Sequence, residues 1–333
     1  MQGLDFPRLC ATESVARSAE LIADAWEKGG AVSTELVLRT AAGEKIPVEV
    51  STRVVEVEKQ PAIILYVRDI RERLRLLRII EEKNQQLIES IQYARRLQVA
   101  ALPSLVQMQA LFPHSFLLYL PRDIVSGDFY WIAQKGSKRF LAVGDCTGHG
   151  VPGAMMVMLS LAFLNQALYD VAEPTPGRLL TYLHQGLCSV FTTEGIRDGA
   201  DVIMLMQEGE SLTWTSANRP LWWFAREEGF QELKGDRAPL GGSTDKDYVW
   251  SDRDIPLQST ARLFLATDGY ADQFGGPERR KLTTGRFKRL LAETALLPLA
   301  EQEKALRTFF HSWQGEMEQI DDILVVGVEV GTT

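Results

Sequence analysis

The first 68 residues combine a helical segment with three segments of strand-like pattern. The segment SVARSAELIADAWEKG predicts a helix, and VSTELVLRT, IPVEVSTRVVEVE and PAIILYVRD follow it, separated by AAGEK and EKQP. Apolar and polar residues alternate in the first two of these runs, which is typical of half-buried strands. Residues 1–68 are therefore predicted to form a helix and a three-stranded antiparallel sheet.

Residues 69–101 form one continuous amphipathic pattern without glycine or proline. Ile70, Leu77, Asn84 and Ile91 share one heptad position, whereas Ile80, Leu87 and Ala94 share the other. Such a seam predicts a parallel coiled coil, in which one Asn in the seam can fix the register and a two-stranded state. We therefore expect a homodimer formed through this helix. The alternative is a long amphipathic helix that lies on its own globular domain.

Residues 102–333 mix strand and helix patterns. Strand candidates include FLLYLP, FYWIAQ, RFLAVGD, DVIMLMQE, LTWTSA, LWWFAR, RLFLATD and ILVVGVEV. Helix candidates include PGAMMVMLSLAFLNQALYDVA, TPGRLLTYLHQGLCSVFTTE, GRFKRLLAETA and AEQEKALRTFFHSWQGEM. Strands and helices do not alternate strictly, and neither GxGxxG nor a Walker loop occurs, so a nucleotide-binding doubly wound sheet is disfavoured. The pattern predicts an α+β sandwich.

Composition and charge exclude several classes of protein. The formal net charge is −8, and no segment interleaves basic with aromatic residues, which argues against nucleic-acid binding. The three cysteines are too few and too scattered for a disulfide framework or a zinc site. No signal peptide is visible, and the apolar run VPGAMMVMLSLAFL is shorter than a membrane span. We expect a soluble cytoplasmic protein without membrane insertion.

Four aspartates in distinctive settings carry the candidate chemistry. They are Asp128 in IVSGDFYW, Asp145 in VGDCTGHGVPGA, Asp268 in LFLATDGYADQF and Asp321 in EQIDDILVVGV. Three of them lie where an apolar, strand-like run meets glycine or a turn, so their carboxylates can be held in a fixed direction. Oxygen ligands of this kind suit a hard divalent cation.

Two divalent cations that share a bridging carboxylate would lower the pKa of a water and stabilise negative oxygens. A phosphate monoester is the natural substrate for such a site. The chain lacks a GxSxG elbow, and Cys146 has no evident base beside it in the sequence, so a covalent nucleophile is not indicated.

The motifs YARRLQVAALPS, YLPRDIVSGDFYW, AVGDCTGHGVPGAMM, ATDGYADQFGG and QIDDILVVGV, in this order, resemble the SpoIIE-type serine phosphatases of the metal-dependent PPM superfamily. The resemblance covers nearly all of residues 91–330. It implies a four-layer αββα sandwich, two Mn²⁺ or Mg²⁺ ions between the sheets, and hydrolysis of phosphoserine or phosphothreonine in proteins by a metal-activated water.

The resemblance also implies roles for individual residues. Asp145 would bridge both metals, with the main-chain carbonyl of Cys146 as a further ligand, and Asp268 and Asp321 would complete one metal site. Asp128 would serve the other site, directly or through water. The predicted metal ligands are therefore Asp128, Asp145, Cys146, Asp268 and Asp321, and the predicted catalytic residues are Asp145 and Asp268.

The same resemblance leaves more than one role open for three further residues. Asp322 is expected to orient the local turn and is the second choice as a ligand. His149 in GHG is either a general acid or a residue that orients the loop. Arg122 in PRD is either a phosphate contact or part of a surface salt bridge.

The order of segments suggests regulation. The exit YVRDIRER and the helix with three strands resemble the C-terminal half of a PAS sensor domain, without its first strands. The predicted domains are a partial PAS-like unit at 1–68, a helical linker at 69–101 and a phosphatase domain at 102–333. The family resemblance implies that the helix controls activity, and that the substrate is a phosphorylated anti-anti-sigma (STAS-type) protein or another bacterial regulator. The alternative function is a PPM-like scaffold that binds partners with little or no turnover.

Overall fold

The computed structural model describes residues 5–28, 32–191, 198–242, 244–255 and 260–331. The chain divides into two compact units, Met1–Glu89 and Ser90–Thr333, and the division falls inside one long helix. The α-helices are α1 (Val15–Lys28), α2 (Arg71–Ala101), α3 (Leu105–Leu111), α4 (Gly150–Asp170), α5 (Pro176–Val190), α6 (Gly269–Asp272), α7 (Thr284–Thr294) and α8 (Leu299–Gln314). Two 3₁₀ turns, Phe6–Leu9 and Thr12–Ser14, precede α1.

The strands of the first unit are β1 (Val32–Arg39), β2 (Lys45–Val57) and β3 (Gln60–Asp69). Those of the second unit are β4 (Ser115–Leu120), β5 (Asp128–Lys135), β6 (Lys138–Cys146), β7 (Gly199–Glu208), β8 (Ser211–Ala217), β9 (Leu221–Ala225), β10 (Gly229–Leu233), β11 (Leu240–Gly241), β12 (Arg253–Asp254), β13 (Ala261–Ala266), β14 (Phe274–Gly275), β15 (Arg280–Lys281) and β16 (Ile323–Val330).

In the first unit, α1 packs against an antiparallel sheet of order β1-β2-β3. Leu21 of α1 and Leu36, Val48 and Val50 of the sheet form its small core. The predicted helix and three antiparallel strands are thus confirmed, whereas the resemblance to a PAS domain stays a prediction.

Helix α2 runs without interruption for 31 residues, about 45 Å at 1.5 Å per residue. The carboxylate of Asp69 accepts a hydrogen bond from the main-chain N–H of Arg71 at 2.9 Å and so satisfies a free donor at the helix start. The seam residues Leu77, Ile80 and Leu87 are at least half exposed in the single chain. Their exposure is compatible with a second helix packing on them, and the dimeric coiled coil stays a prediction.

Two antiparallel sheets form the middle of the second unit. One has the order β10-β9-β13-β16-β4, and the other has the order β12-β8-β7-β6-β5 with β11 paired to β7. Helices α4 and α5 cover the second sheet, while α7 and α8 lie against the first. Strands β13 and β16 contact β6 and β5 across the interface between the sheets. The predicted mixed α+β fold is confirmed, with helices on the outer faces of two stacked sheets.

Helix α4 is the apolar segment VPGAMMVMLSLAFL of the sequence. This helix is long and apolar enough to cross a membrane, a finding that rests on length and composition only. Eight of its residues are buried, and five of these belong to the core shared with α5 and the six-stranded sheet. The sequence interpretation of a buried helix that begins near Pro152 agrees with this packing.

Candidate functional site

Three aspartates form a row across neighbouring strands of the six-stranded sheet. Asp128, the first residue of β5, lies opposite Asp145 near the end of β6, and Asp145 lies opposite Asp201 of β7. Residues directly opposite each other on antiparallel strands project to the same face of the sheet. The strand register therefore brings three carboxylates together. Asp201 was not predicted from the sequence.

Two further carboxylates reach the same place from the five-stranded sheet. Asp268 follows β13, and Asp321 precedes β16. These strands are antiparallel neighbours, with Ala266 paired to Val325, so the end of one meets the start of the other. A cavity of about 470 Å³ is lined by carboxylates from both sheets and by the loop after β6. Its acidic lining residues are Asp145, Asp201, Asp268 and Asp321.

Arg219 supplies a positive charge in this cavity. It lies in the turn between β8 and β9, and its side chain is only 13% exposed. One terminal nitrogen donates to Asp145, the other lies 3.1 Å from Asp268, and Nε lies 3.4 Å from Asp201. No pattern in the sequence indicates this contact, because it depends on how the turn is placed against two sheets.

The carboxylates crowd one another in a partly desolvated site. Burial raises the pKa of Asp145 to about 7; Arg219 opposes this shift, and the charges of Asp268 and Asp321 add to it. Burial likewise raises the pKa of Asp201 and of Asp321 above the usual range of a carboxyl group. Negative charge is therefore costly here, and a site of this kind favours additional cations.

Asp128 lies deeper than the other predicted ligands. It is 2% exposed, and its Oδ2 accepts a hydrogen bond of 2.7 Å from the hydroxyl of Thr267. Burial, followed by the charge of Asp145, raises the pKa of Asp128 well above its ordinary value. Asp128 is adjacent to Asp145 but is not part of the cavity lining. Its role at a metal, directly or through water, stays a prediction.

Cys146 lines the cavity, but its thiol is buried and lies 3.8 Å from the hydroxyl of Ser160. Burial raises the pKa of this thiol far above its usual range. The side chain is therefore neutral and turned into the core, which rules it out as an activated nucleophile. The predicted contribution of Cys146 through its main-chain carbonyl is compatible with this geometry.

The two adjacent acidic residues at the start of β16 have different surroundings. Asp321 lines the cavity, whereas Asp322 is 3% exposed and accepts two main-chain hydrogen bonds of 2.7 Å, from the N–H groups of Arg122 and Gly127. Asp322 thus fixes both ends of the segment that leads into Asp128. This agrees with the prediction that it orients the local turn.

The two other residues with open roles differ in their relation to the cavity. His149 lines it, and the Nδ1 atom of its imidazole lies 3.0 Å from a carboxylate oxygen of Asp123. The guanidinium of Arg122 donates to the carbonyl of Ile320 at 2.9 Å and does not line the cavity. The guanidinium that lines the cavity is that of Arg219, whereas that of Arg122 lies outside it.

The donor set fits a hard divalent cation, because it consists of carboxylates and main-chain carbonyls. Among the residues that the structure describes, however, no three His, Cys, Asp or Glu side chains are close enough to form a ready ligand cluster. The guanidinium of Arg219 contacts both Asp145 and Asp268.

Comparison with known proteins supports the resemblance to the SpoIIE-type phosphatases in both family and fold. The sequence profile of the family described as "Stage II sporulation protein E (SpoIIE)" matches residues 135–331. The SiaA-PP2C domain of Pseudomonas aeruginosa is 32% identical to this chain, with a TM-score of 0.67, and the match covers 74% of this chain and 98% of that domain. A search of curated proteins gave no match.

Two less similar structures support the fold alone. The PP2C phosphatase domain of SpoIIE from Bacillus subtilis, solved with a fragment of its regulatory domain, is 17% identical, with a TM-score of 0.53 and coverage of 66% of this chain and 63% of that one. The RsbU and RsbW domains of a Mycobacterium tuberculosis protein are 20% identical, with a TM-score of 0.52 and coverage of 67% and 63%.

Proposed function

Because the chain belongs to the SpoIIE family of PP2C-type (PPM) serine/threonine phosphatases, we propose that it removes phosphate from phosphoserine or phosphothreonine of a regulatory protein in a metal-dependent reaction. The observation that carries the proposal is the cavity in which carboxylates of both sheets converge: Asp145 and Asp201 from one, Asp268 and Asp321 from the other. The family's phosphatases are metal-dependent, and this donor set is of the kind that Mn²⁺ and Mg²⁺ bind.

Asp145, Asp268, Asp321 and the main-chain carbonyl of Cys146 would hold the cations, and Asp128 would act through water. We propose that these residues would hold two ions. The bound cations would lower the pKa of a water molecule and attract the oxygens of the phosphoryl group.

The chain itself contributes positioning. Asp322 holds the main chain of Gly127 next to Asp128, and Thr267 donates to Asp128, so this carboxylate keeps one orientation. Fixed charges need no reorganisation during the reaction, which is the main source of catalysis in phosphoryl transfer. Catalysis would therefore not involve a covalent intermediate on the protein.

We further propose that the substrate is a phosphorylated STAS-type anti-anti-sigma protein or a similar bacterial regulator, and that the enzyme acts in the cytoplasm as a homodimer joined through α2. Regulation would pass through α2 to the carboxylates. Support for that route comes from Gln98 near the end of α2, whose buried amide makes two hydrogen bonds with the main chain of Ser126, two residues before Asp128.

The test is hydrolysis of p-nitrophenyl phosphate and of a phosphorylated STAS protein, with Mn²⁺, with Mg²⁺ and with a chelator. Asp145→Asn and Asp268→Asn should each lower kcat/KM by about 100-fold or more, since cation binding contributes several kcal/mol to catalysis. Asp254→Asn is the matched control, because this exposed carboxylate belongs to the same six-stranded sheet but lies outside the cavity. Metal-independent activity, or equal rates in all three variants, would refute the proposal. Absence of turnover on both substrates would favour the scaffold.

A further inference from the structure

The guanidinium of Arg219 contacts three carboxylates at once. Its two terminal nitrogens face Asp145 and Asp268, which lie on different sheets, and its Nε faces Asp201. The Nε atom is buried and has no hydrogen-bond partner among the described residues, so its contact with Asp201 is one of charge alone. Arg219 thus spreads a single positive charge over three acids and forms no bidentate pair with any of them.

A divalent cation held by Asp145 and Asp268 would compete with the guanidinium for the negative charge of the same two carboxylates. Asp145 and Asp268 are the two residues assigned most directly to the metal, and both already have the guanidinium as a partner. Two cations that need the same carboxylate oxygens repel each other at short range and cannot both occupy them. Either Arg219 leaves these oxygens or the divalent cation does not bind them.

The turn that carries Arg219 does not depend on the guanidinium. Asn218, which adopts a φ of 64°, donates its side-chain amide to Asp201 at 2.9 Å. The main-chain carbonyl of Arg219 accepts from the hydroxyl of Ser216. The N–H of Asn218 donates to the carbonyl of Asp236 at 2.7 Å, so the main chain of the turn is held by hydrogen bonds that do not involve the guanidinium. This leaves the guanidinium free to exchange partners without unfolding the turn.

Building on the proposed function, we propose that Arg219 competes with the divalent cation for Asp145 and Asp268 and thereby weakens metal binding. Loading of the site requires the guanidinium to move away from these two carboxylates. Arg219 is in this sense a positioning residue that sets how much metal the enzyme needs. An ion pair that only stabilises the fold would act in the opposite direction, because its removal would disorder the carboxylates and weaken metal binding.

The experiment measures the affinity for Mn²⁺ alone, without substrate, from the loss of the free Mn²⁺ signal in electron paramagnetic resonance. Arg219→Gln removes the charge with little loss of volume and should bind Mn²⁺ about 10- to 100-fold more tightly, the range expected for losing charge-assisted contacts to the two carboxylates. Arg219→Lys keeps the charge, but its single ammonium group cannot contact both carboxylates as the guanidinium does. Its Mn²⁺ affinity should therefore lie between those of the wild type and Arg219→Gln.

Arg253→Gln is the matched control, because Arg253 pairs with Asp236, is partly buried and lies outside the cavity. Its Mn²⁺ affinity should equal that of the wild type. Equal or weaker Mn²⁺ binding by folded Arg219→Gln, with folding checked by circular dichroism, would overturn the competition. Tighter binding by Arg253→Gln to the same extent would overturn it as well, since net charge alone would then explain the effect.

Failure of the proposed function gives a different result. If the wild type bound no Mn²⁺, or if Asp145→Asn bound it as tightly as the wild type, the metal site itself would be wrongly assigned. A wild type that binds Mn²⁺ through Asp145, together with an Arg219→Gln variant of unchanged affinity, would leave the phosphatase assignment intact and refute only the role of Arg219.

Discussion

The contact between Gln98 and Ser126 links helix α2 to the segment that leads into Asp128, and we predict that breaking it lowers both stability and activity. Gln98 is 3% exposed; its Nε2 donates to the carbonyl of Ser126 at 2.7 Å, and its Oε1 accepts from the N–H of Ser126 at 3.0 Å. The hydroxyl of Ser126 accepts from the N–H of Asp128 at 3.0 Å. Gln98→Leu retains the volume and removes both hydrogen bonds.

The expected loss of stability follows from the two main-chain groups that this change leaves unpaired. A buried donor or acceptor without a partner costs about 1–3 kcal/mol, which gives an upper range of about 2–6 kcal/mol for the pair. Because both groups belong to one residue, their costs are not independent, and we expect the lower part of this range, about 2–3 kcal/mol. Loss of these contacts would also loosen the main chain before Asp128, so Mn²⁺-dependent turnover should fall about tenfold or more, a change of about 1.4 kcal/mol in the barrier.

The assays are urea unfolding and hydrolysis of p-nitrophenyl phosphate over a range of Mn²⁺ concentrations. Gln92→Leu is the control, since Gln92 lies on the same helix and is exposed. A stability loss in Gln98→Leu no larger than in Gln92→Leu would show that the two hydrogen bonds contribute little. Full activity in a clearly destabilised Gln98→Leu would refute the idea that the helix acts on Asp128.

Three further changes test other parts of the site. Asp322→Asn retains only one acceptor for the N–H groups of Arg122 and Gly127; calorimetry should show weaker Mn²⁺ binding, and unchanged binding would contradict the role of Asp322. In Gly153→Ala, a Cβ would lie 2.3 Å from the carbonyl oxygen of Gly148, so turnover should fall and the free energy of unfolding should drop by about 1–3 kcal/mol. Gly285→Ala is the control, since its Cβ would meet nothing within 4 Å. Equal effects of the two substitutions would refute the steric argument. Burial lowers the pKa of His184, which accepts from the N–H of Gly241 and faces the carbonyl of Asp245. The unfolded chain therefore binds the proton first as pH falls below about 6.5, so the stability advantage of wild type over His184→Gln in urea unfolding should be full above that pH and shrink below it. If the difference in the free energy of unfolding between wild type and His184→Gln stayed constant from pH 7.5 to pH 5.5, this would be evidence against a neutral, buried His184.

The aspartates that were predicted have a local signature that a sequence can display. Asp145 and Asp268 end long apolar runs and are followed by a turn or by glycine, and both line the cavity. For Asp321 and Asp322, the local sequence does not determine which of the two side chains faces the cavity. Both precede the same strand, but only the fold determines that the first faces the cavity and the second binds main-chain N–H groups.

The residues that were missed depend on contacts between distant segments. Asp201 starts an apolar run much as Asp128 does, and that likeness was the available signal. Its importance comes from the register that sets it opposite Asp145, and register is fixed by pairing across the sheet. Arg219 lies in a turn whose direction no pattern of apolar residues encodes. The short strands β11, β12, β14 and β15 have only two residues each, too few for any periodicity to appear.

Two separate segments of the second unit contact the main chain before Asp128 and the loop after Asp145, and these two aspartates are paired with each other. Gln98 acts on the main chain before Asp128, while Gly153 at the start of α4 fits closely against the loop after Asp145. Because the two aspartates are opposite each other in the β5–β6 register, a displacement on either side changes the distance between their carboxylates. Burial already makes negative charge costly at both carboxylates, so we expect a small change in their geometry to change the affinity for a cation. In the regulation that we propose, a signal that moves α2 or α4 would act by changing the geometry of this one pair, without contacting the phosphate.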